Sequence, residues 1–185
     1  MDEILAIAHE HGLKVVEDAA HALPTTWKGQ LVGQLQSDVT VFSFYANKTI
    51  TTGEGGMAVT RHPKLAERMR VMRLHGMSRD AWRRYSVDGF RHYDVVECGY
   101  KFNMMDIQAS LGLCQLDRLE QAWTARAAHW ARYQDAFAAL PLVRPAPVPG
   151  HMRHAYHLYT LLVDESAGGI SRDAMLQHAA PQPRW

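Results

Sequence analysis

Lys48 stands in a polar loop. A short apolar run, Val39 to Phe44, precedes it. A glycine-rich turn, Gly53-Glu54-Gly55-Gly56, follows and leads into a second apolar run, Met57 to Val59. The first run reads as a buried strand of a sheet covered on both faces. A lysine just past the carboxyl end of such a strand sits where α/β proteins bind ligands. Partial burial there lowers an ammonium pKa and makes the amine a nucleophile suited to Schiff-base chemistry. A loop lysine by itself is an ordinary solvated charge, so its upstream context matters. Val15-Val16-Glu17-Asp18-Ala19-Ala20-His21 is another apolar strand that ends in a carboxylate, with a histidine shortly after. Two neighbouring strand ends then offer the Asp18 carboxylate, the His21 imidazole, the Ser43 hydroxyl and the Lys48 amine. That set fits pyridoxal phosphate, which needs a lysine for its Schiff base and an anionic partner for its pyridinium nitrogen.

The elements that must position these groups follow from the pattern. Ile4, Leu5, Ile7 and Ala8 give a helical face that Gly12 stops. Leu13 to Glu17 is the first strand. Trp27-Lys28-Gly29 is a turn. Gly55 and Gly56 suit a tight reversal that sets Met57 to Thr60 antiparallel to the central strand. Pro63 opens a helix carrying Leu65, Met69 and Met72, which ends at Leu74-His75-Gly76. Asp106 is a good N-cap for a helix with Ile107, Leu111, Cys114 and Leu116 on its apolar side. The helical pattern runs on from Arg118 to Leu140, with Trp123, Ala127, Trp130, Tyr133 and Phe137 near one side, and is long enough for two helices. Pro141 to Pro149 reads as a linker. His154 to Val163 reads as a strand, and Ser171 as the cap of a last helix.

Other chemistries are poorly served. The glycine turn lacks both the P-loop order and the GxGxxG of a dinucleotide site. His9-Glu10-His11 does not have zinc-protease spacing, and we read it as a solvated helix end. His154 and His157 diverge on a strand, which argues against a metal trio with His151. Arg79, Arg83, Arg84 and Arg91 form a basic loop that can meet a diphosphate or simply be solvated.

Four stretches carry a resemblance: EDAAHA, FSFYANKTITTGEGGMAVT, LHG and GYKFNMMDIQASLGLCQLDRL, in this order and spacing. Together they resemble the nucleotide-sugar aminotransferases of the DegT/DnrJ type, from Met1 to about Asp173. The resemblance implies a fold-type I, pyridoxal-phosphate-dependent α/β transferase large domain with a mixed sheet, followed by the start of a small α+β domain. It implies that Lys48 holds the cofactor and moves the proton, and that Asp18 pairs with the pyridine nitrogen. It sets His21 beside the phenolic oxygen. Ser43 bonds the phosphate, as does Asn103 from the partner subunit of a homodimer. It further implies a nucleotide-linked keto-sugar as substrate and an amino-acid donor, glutamate. The dehydratase branch of this family has histidine where Lys48 stands, which favours transamination.

Composition is compatible. The chain has 185 residues, 47% hydrophobic and 21% charged, with a net charge of +1. That balance gives no sign of a nucleic-acid partner. Cys98 and Cys114 form no metal or redox motif. No apolar stretch approaches the roughly 20 residues of a membrane helix, and the start is not a signal peptide. We read the protein as cytoplasmic. Residues 1–117 are expected to be the later part of the cofactor-binding domain, 118–140 an interdomain helix, and 141–185 a linker and the start of a small domain. Family members are about twice as long, so the sequence resembles an internal fragment. A non-catalytic, truncated remnant of such an enzyme is the alternative.

Overall fold

The computed structural model describes residues 1–78 and 93–179. Helix α1 (Asp2–Glu10) ends where the glycine stop predicts. Gly12 takes φ +62°, and Leu13 N–H donates to the Ala8 carbonyl across the last turn. Strand β1 (Val16–Asp18) follows, shorter and later than the predicted Leu13 to Glu17. A hairpin of β2 (Thr26–Trp27) and β3 (Gln30–Leu31) comes next. Its turn residues, Lys28 and Gly29, both have positive φ, the geometry of a two-residue type I′ turn. Asp2 ties α1 to this hairpin by accepting from Trp27 Nε1 at 2.8 Å and from Lys28 Nζ.

Strand β4 (Val39–Ser43) lies parallel to β1 and antiparallel to β5 (Gly56–Val59), giving a mixed sheet in the order β1-β4-β5. The register puts Glu17, Thr40, Phe42 and Val59 on one face. This face is packed: Thr40 is buried, and the Glu17 carboxylate accepts from the Ser37 and Thr40 hydroxyls at 2.9 and 3.2 Å. Val16, Asp18, Val41 and Ala58 share the opposite face, where Val16 is 67% and Val41 38% exposed. The expectation of a sheet covered on both faces therefore fails on this side.

Helix α2 (Pro63–Met72) opens on its proline. The predicted arginine loop, Arg79, Arg83, Arg84 and Arg91, lies outside the described residues. Helices α3 (Asp106–Asp117) and α4 (Leu119–Ala136) break at Arg118, so the long pattern is two helices. Asp106 is the first helical residue rather than the cap. The Gln108 side chain satisfies Met105 N–H at 3.0 Å in the cap's place. The apolar side of α3 does not reach a core: Ile107 is 80% exposed, and Leu111, Cys114 and Leu116 are also exposed.

Strand β6 (Leu142–Val143), inside the proline-rich stretch, pairs with β8 (Leu162–Val163), while β7 (Met152–Arg153) joins the hairpin beside β2. Of the predicted strand from His154 to Val163, only its last two residues form, as β8. Tyr156 has φ +52°. The carbonyls of His154 and His157 accept from Trp123 Nε1 at 2.8 Å and Arg126 Nη1 at 3.4 Å on α4, not from a neighbouring strand. Helix α5 (Glu165–Gly168) precedes α6 (Arg172–Ala179), whose Ala174 N–H is capped by Ser171 Oγ at 3.2 Å. The small core joins Phe44, Ile50 and Leu119, with Leu23, Phe42 and Met104 against them. An aromatic cluster clips the irregular segment to α4, with Tyr159 against Trp130, Tyr133 and Phe137. Among the described residues, no helix is long and apolar enough to cross a membrane.

Candidate active site

Lys48 sits on a tight turn whose N–H donates back to the Tyr45 carbonyl at 3.0 Å. The base of the turn is clamped. Phe44 N–H donates to the Gly55 carbonyl at 2.8 Å, and the Phe44 carbonyl accepts from Thr52 N–H at 2.9 Å and from the Thr51 hydroxyl at 3.2 Å. Phe44, Ile50 and Thr52 are buried beneath it. Gly55 permits the closure, because at φ +155° a Cβ there would lie 2.3 Å from Thr52 Oγ1. Gln115 of α3 locks the same loop from outside. Its amide oxygen accepts from Thr51 N–H and its amide nitrogen donates to the Thr51 carbonyl, both at 3.0 Å.

Four of the five predicted site residues converge on this strand end. Lys48, half-buried, holds its Nζ 2.6 Å from His21 Nε2. With lysine as the ammonium, Nε2 accepts and the imidazole's own proton sits on Nδ1. Asp18 pairs in register with Val41, and Ser43 lies two residues further along β4, so Asp18 and Ser43 share the open face of the sheet. Asp18 Oδ1 accepts from Ala20 N–H at 2.9 Å, which fixes the carboxylate. Its second oxygen is left for another donor. Ser43 Oγ accepts from Tyr45 N–H at 3.4 Å and keeps its own proton to donate.

Asn103 does not join them within one chain. The backbone leading to it pairs with the end of α2, His75 N–H to the Tyr100 carbonyl at 2.8 Å and Phe102 N–H to the Arg73 carbonyl at 2.8 Å. The LHG and GYKFN motifs meet here backbone to backbone, since a Cβ on Gly99 would lie 2.1 Å from Gly76 N. The Asn103 carboxamide oxygen accepts from Lys101 Nζ.

His157 was not singled out from the sequence as a site residue, yet its ring packs on His21 with centroids 4.4 Å apart. Burial, then the charges of His21, Lys48 and Arg126, push its pKa down to about 4, so it is neutral near pH 7. Both of its ring nitrogens are buried without a hydrogen-bond partner. The sequence signal was the match between the aromatic-rich HAYHLY segment and the aromatic side of α4. Among the described residues, no group of three or more His, Cys, Asp or Glu side chains is arranged to hold a metal ion.

An amine at a strand end, an exposed carboxylate with one oxygen open, and a hydroxyl donor on the same face suit pyridoxal phosphate. Fold and site thus define the class of pyridoxal-phosphate-dependent transferases. The chain belongs to the DegT/DnrJ/EryC1/StrS aminotransferase family, whose model matches residues 1–182; its cofactor is pyridoxal phosphate. It is 50% identical over 176 residues to the spore coat polysaccharide biosynthesis protein SpsC of Bacillus subtilis, covering 95% of this chain and 45% of SpsC. It is similar to the pyridoxal-phosphate form of Spr1654 of Streptococcus pneumoniae, with TM-score 0.77 and 35% identity, covering 91% of this chain and 41% of that one. It is also similar to DesI, solved in the presence of its TDP-sugar product, with TM-score 0.78 and 30% identity, covering 95% and 42%. The chain spans about half the length of the curated relatives it matches.

Proposed function

We propose that this chain carries the lysine half of an aminotransferase site that moves an amino group from glutamate to a keto-sugar borne on a nucleotide, as a homodimer in the cytoplasm. The observation that carries it is the half-buried Lys48, hydrogen-bonded to His21 beside the shared face of Asp18 and Ser43. Bound there, pyridoxal phosphate supplies an aldehyde for the amino group in transit and a ring that takes up electrons. Lys48 Nζ would hold it and, once free again, would serve as the base that moves a proton. His21 Nε2, at 2.6 Å, is within reach to accept or return that proton. Asp18 would hold the ring nitrogen with its remaining oxygen, and the Ser43 hydroxyl would donate to the phosphate. The TDP-sugar of DesI supports the nucleotide-linked substrate.

Dimerisation is supported by the surface on either side of Asn103. Tyr100, Phe102 and Met105 precede α3 or open onto it, and Ile107, Leu113 and Leu116 lie on it; all are exposed, Phe102 to 73%. An apolar surface of this kind fits a second copy of the chain, and such a contact carries Asn103 toward the partner's cofactor phosphate. The division into residues 1–117, an interdomain helix at 118–140 and a small-domain start at 141–185 belongs to the same proposal. The free cysteines Cys98 and Cys114 suit a reducing compartment.

A second reading, a chain that folds without catalysing, is favoured by the bare sheet face that leaves Asp18 exposed. One experiment separates the two. The purified chain is loaded with pyridoxal phosphate and given L-glutamate. Aminotransfer predicts loss of the lysine-bound absorbance band and release of 2-oxoglutarate. A band that no amino acid discharges would favour the non-catalytic reading.

A further inference from the structure

Lys48 contacts His21, His21 packs on His157, and His157 lines a cavity of about 230 Å³ between α4 and the irregular segment after β7. Arg126, His129, Trp130, Tyr156, His157 and Tyr159 line it. Three buried polar atoms of these residues lack hydrogen-bond partners: both ring nitrogens of His157 and Tyr159 Oη. Unpaired buried groups are costly and mark places where something else supplies the bond. The Arg126 guanidinium has five N–H donors, and among the described residues its one hydrogen bond is the 3.4 Å contact to the His157 carbonyl. No ion pair among the described residues includes Arg126 or Lys48. The charges acting on His157 come from His21 and Lys48 on one side and Arg126 of α4 on the other, with no carboxylate among them. Among the described residues, basic groups thus gather around an aromatic-walled cavity with no ion-pair partner for Arg126 or Lys48.

We propose that this cavity is the carboxylate subsite of the amino donor: Arg126 binds the carboxylate by charge-assisted hydrogen bonds, the Tyr159 hydroxyl donates to it, and Trp130 and Tyr156 pack on the donor's methylenes. The assignment of the anion to the amino donor rests on the transamination reading above. Size supports it. At 230 Å³ the cavity is below the about 300 Å³ at which pockets begin to hold drug-sized ligands. That volume accommodates an amino acid. Planar guanidinium–carboxylate pairing is directional as well as strong. A carboxylate there turns the rest of the donor toward the His157–His21–Lys48 chain.

The probe is glutarate, a dicarboxylate with no amine to react at Lys48, titrated calorimetrically into the full chain. Saturable binding is expected, weakened about tenfold or more in Arg126→Met and less in Arg126→Lys, because the bidentate fork is lost in both but the charge only in the first. Tyr159→Phe, which removes one oxygen, is expected to weaken it by a smaller factor and serves if the arginine variant does not fold. The C2 proton of His157 gives an independent readout. An added anion stabilises its imidazolium, so its titration midpoint rises from about 4 when glutarate binds. Absent binding to the wild-type chain, equal binding to Arg126→Met, or displacement of glutarate by UDP would each overturn the proposal. The absorbance of lysine-bound cofactor is read separately. If it forms without glutarate binding, this inference alone fails. If it never forms, the transamination reading fails and the anion site stands on the titration.

Discussion

The loop that carries Lys48 and the helix α3 that leans on it are built on opposite terms. The loop is polar at its tip and satisfied at its base, where Phe44, Thr51, Thr52 and Gly55 bond one another over the buried Phe44 and Ile50. Helix α3 presents its polar side inward. Gln108 donates to the Glu54 carbonyl at 2.8 Å, Gln115 bonds Thr51, and Gly112 lets the helix approach Thr52, while Ile107, Leu111, Leu113 and Leu116 face out. A lone chain gains nothing by this inversion, since burial of apolar area is the main driving force. The loop is closed by contacts within the chain, whereas the apolar side of the helix stays exposed among the described residues, and the proposed dimer would cover it.

The largest effect should come from breaking the unfinished side. Ile107→Glu with Leu113→Glu places two charges in the expected dimer contact. Sedimentation should show the dimer becoming monomer, and cofactor affinity should fall about tenfold or more as the partner's Asn103 is lost. A double variant that stays dimeric would put the contact elsewhere. The finished side should respond more modestly. Gln115→Leu leaves Thr51 N–H and its carbonyl without their partners, which should cost about 1–3 kcal/mol in denaturant unfolding; no change would mean that the loop stands without α3.

The smallest effect concerns acid stability beyond the loop. His157 has its folded pKa depressed from 6.5 to about 4, so the folded chain favours the neutral ring. Its contribution is fully present above about pH 6.5 and is lost as pH falls through about 4, where the unfolded chain takes up the proton first. His157→Phe should therefore flatten Tm against pH in that window. Burial also lowers the His154 pKa, leaving a shallower slope there. The Asp38 loss lies below its ordinary 3.8, because Val15 N–H and then Lys14 hold its carboxylate ionised. An unchanged slope in His157→Phe would contradict the assignment.

Much of the site was legible because it is local. The apolar run from Val39 to Phe44 and the glycine turn specify β4, the loop and antiparallel β5 from residues close in sequence, and the carboxylate ending β1 marks the neighbouring strand end. Periodicity could not say which side of α3 is buried, because the apolar residues that pattern a core also pattern an interface. The segment after β7 misled for a related reason. His154 to Val163 has strand composition, but its carbonyls find the indole of Trp123 and the guanidinium of Arg126 on α4. Those partners lie 31 residues away in sequence for each pair, out of range of any local pattern. His157 and Arg126 enter the site by the same route.

The central claim is that Lys48 attaches the cofactor. The measurement is reduction of the chain with borohydride in the presence of pyridoxal phosphate, followed by peptide mass spectrometry. A pyridoxyl group is expected on Lys48, and none in Lys48→Ala. A folded chain that takes no label, or takes it on another lysine while Lys48 stays free, would contradict it.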